Sequence, residues 1–200
     1  FCTDIFGWRP FFFIIGCVAI FASILLLKFS QNIKASYLKP RLIDIIHILK
    51  LRHNLYIFLM IFGIFFTFQA MLNFIPFELA RIDENYNSSK AGMLYIGYLV
   101  GVLVAFNTKK ITALFRSPIT AIIAGIITLI IAIQIFRIES FGLIFVAMVI
   151  FCLGNFIAHS IASGFVNKMA TTHKGISNGL YVSFYYFGGA LGSFIPGLIY

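Results

Sequence analysis

Apolar stretches of about 20 residues recur along this chain, separated by short polar segments. Wound as an α-helix at about 1.5 Å per residue, a stretch of that length matches the hydrocarbon thickness of a bilayer. Six are read: Pro10–Leu27, Leu55–Pro76, Gly92–Phe106, Pro118–Phe136, Phe141–Val166 and Ile176–Tyr200. The third is short and carries Gly97 and Gly101, which leaves room for an extension into the loop before it. A transmembrane barrel would instead alternate with a period of two in short segments. Composition agrees with helices in lipid. Of the 200 residues 61% are hydrophobic and only 10% charged, with a mean hydropathy of +1.01; soluble domains carry about 25% charged residues. The predicted fold class is an all-α, polytopic transmembrane helix bundle.

The formal charge of +9 would suggest nucleic acid in a soluble protein. Here the charges sit between spans, so they report topology, and no nucleic-acid partner is expected. Eleven of the 15 Lys and Arg fall on one side: Lys28, Lys34, Lys39, Arg41, Lys50, Arg52, Lys109, Lys110, Arg116, Lys168 and Lys174. Arg9, Arg81, Lys90 and Arg137 fall on the other. Cytoplasmic loops carry the excess of basic residues, so the first side is inside and Phe1–Arg9 is outside. Five of the six acids (Asp4, Glu78, Asp83, Glu84, Glu139) lie outside, and none lies within a predicted span.

The longest inside segment, Lys28–Asn54, contains LIDIIHILKL at Leu42–Leu51. Asp44, His47 and Lys50 recur every three residues, which makes an amphipathic helix with one polar stripe. It is expected on the cytoplasmic lipid surface, where anionic headgroups attract flanking Lys and Arg. His47 and His53 are read as solvated. Cys2, Cys17 and Cys152 show no metal or redox spacing and are read as structural; no metal and no cofactor is predicted. The first apolar run lacks a basic leader and a small-residue cleavage site, so it is read as a span rather than a signal peptide. A chain that starts at Phe1 and stops at Tyr200 within an apolar run reads as a piece of a longer protein.

FGWRPFFFIIGCVAI (6–20) resembles the loop leading into the sixth helix of the major facilitator superfamily. The long basic loop with its amphipathic helix resembles the connection between that family's two six-helix halves. HKGISNGLYVSFYYFGGALGSFIPGLIY (173–200) looks like the eleventh helix, and AHSIAS (158–163) followed by KGISNGLYVSFYYFGGALGS is similar to the drug-proton antiporter, arabinose-efflux-permease-like branch. The resemblance maps the chain to helices six to eleven of twelve. It implies residues 1–27 as the last helix of the N-terminal half, 28–54 as the inter-half loop, and 55–200 as a truncated C-terminal half. The family's weaker loop echo falls at GVLVAFNTKKITALFRSP (101–118), with Gly101, Lys109, Lys110 and Arg116 as remnants. Asn107 stands near the place of its acid, which argues against a gating ion pair there.

Polar side chains in lipid are costly and face a bundle interior or a water-filled path. Gln69 and Asn73 are four apart, as are Asn155, His159 and Ser163, so each set forms a stripe on one helix. Phe62 and Phe66 extend the first stripe inward. Under the resemblance these are helices seven and ten, which line the central cavity. The bland alternative is hydrogen bonding between helices. Tyr181 and Tyr185 share a face of the last span and offer an aromatic wall for amphiphilic or cationic compounds; core packing is the alternative. The candidate substrate-contact and cavity-lining residues are therefore Gln69, Asn73, Asn155, His159 and Tyr185. His159 is the one ionisable side chain well inside a span, a candidate proton-binding residue or a neutral packing one. Gly188-xxx-Gly192, Gly189-xxx-Ser193 and, more weakly, Gly97-xxx-Gly101 are read as close-packing sites.

The resemblance implies a secondary transporter in the bacterial cytoplasmic (inner) membrane. Its partners would be a small-molecule substrate, protons and the lipid bilayer, and the full-length protein would be a monomer. Proton-coupled efflux of an amphiphile, drug or metabolite is the first reading, and proton-linked uptake of a sugar or organic acid the second. A polytopic membrane enzyme is the remote third, for want of acidic clusters in the spans.

Overall fold

The computed structural model describes residues 7, 9–30, 41–84, 86–170 and 173–199. The expectations for Cys2, Asp4, Lys34 and Lys39 lie outside these residues. The chain forms α1 (Arg9–Phe29), α2 (Leu42–Lys50), α3 (Arg52–Ile82), α4 (Ser88–Leu94), α5 (Tyr98–Ala113), α6 (Pro118–Phe136), α7 (Phe141–Met169) and α8 (Lys174–Phe194). Short 3₁₀ turns follow α4 and α8, at Tyr95–Gly97 and Ile195–Leu198. Among the described residues five helical segments are long and apolar enough to cross a membrane: Arg9–Phe29, Arg52–Ile82, Ser89–Ala113, Pro118–Phe136 and Phe141–Met169. The sixth expected span, α8, has 21 residues, sufficient in length. Its glycines, serines and tyrosines dilute its apolarity, and it is not among the five.

Local chemistry explains the boundaries. At the start of α6 the Ser117 hydroxyl accepts from the Thr120 N–H at 3.2 Å, and Thr120 Oγ1 accepts from the Ser117 N–H at 3.1 Å. Pro118 occupies the first turn, where no N–H is needed. The sequence marks this helix to the residue. The second expected span stops at Pro76, yet α3 runs through it to Ile82. Tertiary packing carries that last stretch, since Leu79 is fully buried. The extension also brings Glu78 into the helix, so one acid does lie in a spanning element, close to its end. The third span extends in both directions: Asn87 caps α4 by accepting from the Lys90 N–H at 3.0 Å, and α5 continues to Ala113.

Lipid tails are as apolar as leucine, so burial gives little drive for helices to associate; close packing and sparse hydrogen bonds do the work. α6 and α7 form the most extensive pair. Gly125 and Gly154 face each other there: a Cβ on Gly125 would stand 2.8 Å from the Gly154 carbonyl oxygen, and one on Gly154 would stand 2.6 Å from that of Gly125. α3 and α8 form the second pair. Cβ atoms on Gly188 and Gly192 would collide with the carbonyls of Phe62 and Phe66, so only glycine lets these backbones meet. The Gly97/Gly101 pair has the same role toward α7, with Gly101 under the Phe156 ring and Gly97 against Met148 and Cys152. Between α3, α5 and α7 the core is aromatic: Phe68 stacks on Phe151 at 5.2 Å and meets Tyr98 and Phe156 edge-on.

α1 buries none of its residues. α2 packs on the ends of α3 and α8, burying Ile48, whose carbonyl accepts from Asn54 Nδ2 at 3.4 Å. The expected polar stripe is divided. Asp44 is half-buried and approaches His173 Nε2 at 3.8 Å, while His47 and Lys50 are exposed. Leu42, Ile43 and Ile46 are exposed as well. At the opposite end of the bundle, Arg81 bonds Glu78 at 2.9 Å and Glu139 at 2.7 Å, and Lys90 pairs with Asp83. Each of these ion pairs joins residues assigned to one side by the loop-charge pattern, so that pattern and the folded geometry agree on which loops share an end.

Candidate functional site

α3, α7 and α8 converge; His159 and Tyr185 sit where they meet, and Gln69 and Asn73 lie along the contact of α3 with α8. His159 is half-buried on α7 and faces two tyrosines of α8. Tyr181 Oη lies 3.1 Å from His159 Nδ1 and 3.1 Å from the His159 carbonyl oxygen. The His159 ring stands 4.5 Å from that of Tyr185, tilted by 36°. Tyr185 in turn stacks on Phe65 of α3 at 3.6 Å and 16°. An unbroken run of rings, His159, Tyr185 and Phe65, therefore crosses from α7 over α8 to α3.

α8 permits this contact because it lacks a side chain one turn on. A Cβ at Gly189 would stand 2.6 Å from Cε1 of Phe65 and 3.2 Å from Cγ of Gln69. Gln69 thus lies over Gly189, a helical turn beyond Phe65. A further turn along, Asn73 Nδ2 donates to Ser193 Oγ at 2.8 Å and to the Gln69 carbonyl at 3.0 Å. The Gly189-xxx-Ser193 pattern therefore serves both as a close-packing site and as a hydrogen-bonding partner for α3.

Asn155 is placed differently. It is fully buried on α7, and neither Oδ1 nor Nδ2 has a hydrogen-bond partner among the described residues. Its neighbour Gly154 forms the close contact with α6. Ser163 shares the α7 stripe; its carbonyl accepts from Asn167 Nδ2 at 3.1 Å, and that amide also reaches Asn178 Oδ1 of α8 at 3.4 Å.

Two contributors were not among the five. Tyr181 shares the Tyr185 face, and spacing alone marks it only as part of an aromatic wall; its hydroxyl is the partner of His159. Phe65 precedes Gln69 by four residues, so the spacing rule that joins Gln69 to Asn73 also selects it. Phe62 and Phe66 instead bring their backbones against the glycines of α8. A separate cavity of about 280 Å³ lies at the end where α3 meets the α6–α7 turn, lined by apolar side chains with Glu78, Arg81, Arg137 and Glu139. Lys109, Lys110 and Arg116 have no ion pair among the described residues, and Asn107 bonds the Leu103 carbonyl at 2.8 Å within its own helix. No group of three or more His, Cys, Asp or Glu among the described residues is placed to hold a metal ion.

The family model described as Major Facilitator Superfamily matches residues 1–193. An uncharacterized transporter of Buchnera aphidicola subsp. Schizaphis graminum is 31% identical, over 94% of this chain and 47% of the relative. The inner membrane transport protein YnfM of Escherichia coli K12 is 26% identical, over 99% of this chain and 48% of the relative. The chain spans about half the length of the curated relatives it matches. No solved structure matches it. With its apolar helices and a family match over nearly its whole length, the chain is a multi-pass membrane protein that belongs to the major facilitator superfamily.

Proposed function

We propose that the full-length protein is a secondary active transporter that works by alternating access and exports a small amphiphilic compound in exchange for protons. It belongs, on this reading, to the drug-proton antiporter-like branch and acts as a monomer in the bacterial cytoplasmic membrane. The observation that carries the proposal is the His159–Tyr185–Phe65 run of rings at the junction of α3, α7 and α8, with Gln69 beside it.

An ionisable ring held well inside a span is costly in hydrocarbon and is retained where it meets a partner or a water-filled path. Flat aromatic faces suit amphiphilic and cationic compounds by stacking and cation–π attraction. In alternating access two helix bundles rock about a site near the midplane. α3 to α8 would supply one bundle. α1, which buries no residue, would belong with the other. The name of the Escherichia coli relative supports the membrane assignment.

Inside-out vesicles carrying the full-length protein test the coupling, with ethidium as the probe amphiphile. An imposed pH gradient, acid inside, is expected to drive ethidium into the lumen, and collapsing the gradient to release it. Ethidium movement that ignores the gradient would contradict proton coupling; gradient-driven movement out of the lumen would contradict the direction.

A further inference from the structure

Tyr181 is almost completely buried, and its single hydroxyl has two close partners on the same residue. One is the carbonyl oxygen of His159, which has no hydrogen and only accepts. The other is Nδ1 of the His159 ring. A phenolic hydroxyl has one hydrogen to donate and lone pairs with which to accept. Both 3.1 Å contacts are separate two-centre hydrogen bonds in one arrangement: the hydroxyl donates to the carbonyl and accepts from Nδ1–H. A donation to Nδ1 instead would leave the carbonyl contact unbonded. The ring of a neutral histidine carries one proton, so a proton held at Nδ1 leaves Nε2 as a bare acceptor. Nε2 has no hydrogen-bond partner among the described residues.

We infer that Tyr181 is a positioning residue that locks His159 in the Nδ1–H tautomer, so that Nε2 is the atom His159 offers to the transport path. The inference rests on the proposed site but concerns its chemistry. In this form Nε2 pairs with a donor alone, an N–H or O–H of the substrate or a proton from water. The site then favours compounds that carry such a donor next to a flat face able to lie on Tyr185. A carbonyl or ether oxygen alone finds no partner at His159. A second consequence is that proton uptake occurs at Nε2 while the Tyr181 contact stays intact, so the ring need not flip between its two charge states.

The test is ¹⁵N NMR of the full-length protein labelled at histidine, held at about pH 8 so that ordinary imidazoles are neutral. The His159 resonances are identified by their loss in His159→Gln. The expected wild-type pattern is a proton-bearing Nδ1 and a bare, pyridine-type Nε2. Tyr181→Phe keeps the ring that packs the core and removes the hydroxyl, and is expected to move the proton population to Nε2. A wild-type spectrum with the proton on Nε2 overturns the inference without any variant having to fold. A spectrum unchanged in Tyr181→Phe overturns the role of Tyr181. The proposed site fails separately, if His159→Ala transports ethidium at the wild-type rate while the wild-type tautomer is as inferred.

Discussion

Nδ2 of Asn73 donates to Ser193 Oγ at 2.8 Å, tying α3 to α8 across 120 residues of chain. The same amide bonds the Gln69 carbonyl within its own helix. Hydrogen bonds of this kind between helices in lipid contribute about 0.6–2 kcal/mol. A double-mutant cycle with Asn73→Ala and Ser193→Ala, read by unfolding of the full-length protein in detergent, is expected to return a coupling energy in that range. A coupling indistinguishable from zero would mean that the two side chains are neighbours without a bond.

The glycines of α8 give a sharper contrast. Gly188→Ala and Gly192→Ala place a Cβ against backbone carbonyls of Phe62 and Phe66, which have no rotamer to move into. Each is expected to destabilise by about 1–3 kcal/mol, as overpacking does. Gly179→Ala and Gly164→Ala meet nothing within 4 Å and should leave thermal stability unchanged or slightly raised. Equal effects at all four positions would argue against the close approach of α3 and α8.

Asn155 separates stability from function. A fully buried amide without a partner carries a penalty of about 1–3 kcal/mol. Asn155→Leu removes the polar group and keeps most of the volume, so the protein should unfold at the same or a higher temperature. If Asn155 serves transport, turnover falls as stability rises, the trade-off seen at working sites. Lower stability in Asn155→Leu would show that the amide is satisfied in the native protein.

The polar contacts at the two ends of the bundle predict sidedness. Asp44 and His173 lie together at one end of the bundle, and Arg81, Glu139, Lys90 and Asp83 at the other. In intact cells, a membrane-impermeant maleimide should label Cys introduced at Lys90 or Glu139 and spare Cys introduced at Lys50 or Lys174. The reverse pattern would invert the topology read from the loop charges; labelling of both sets in sealed cells would contradict the fold.

Much of the fold is legible in the chain because hydrophobic length and loop charge act locally. α6 is readable to the residue, since Ser117, Pro118 and Thr120 build its start from neighbours in sequence. α3 is not, because a proline ordinarily ends a helix, and only the burial of Leu79 among other helices carries the chain past Pro76. The facing pair Gly125 and Gly154 is invisible for a related reason: each is a single glycine, and their meaning appears when α6 and α7 are side by side. The candidate residues show the same divide. A spacing of four places Gln69 with Asn73, and Asn155 with His159, on common faces. Which face meets which helix is a tertiary matter. It brings Tyr181 and Phe65 to His159 and Tyr185, and it buries Asn155 without a hydrogen-bond partner among the described residues.

Transport by the reconstituted full-length protein, wild type against His159→Ala and Tyr185→Ala, bears most directly on the claim that α3, α7 and α8 meet at the substrate. With ethidium as probe, and protein amount and fold matched, both variants are expected to lose about tenfold or more in initial rate, corresponding to about 1.4 kcal/mol of lost stabilisation. Wild-type rates in both, with the proteins folded and correctly inserted, would contradict it.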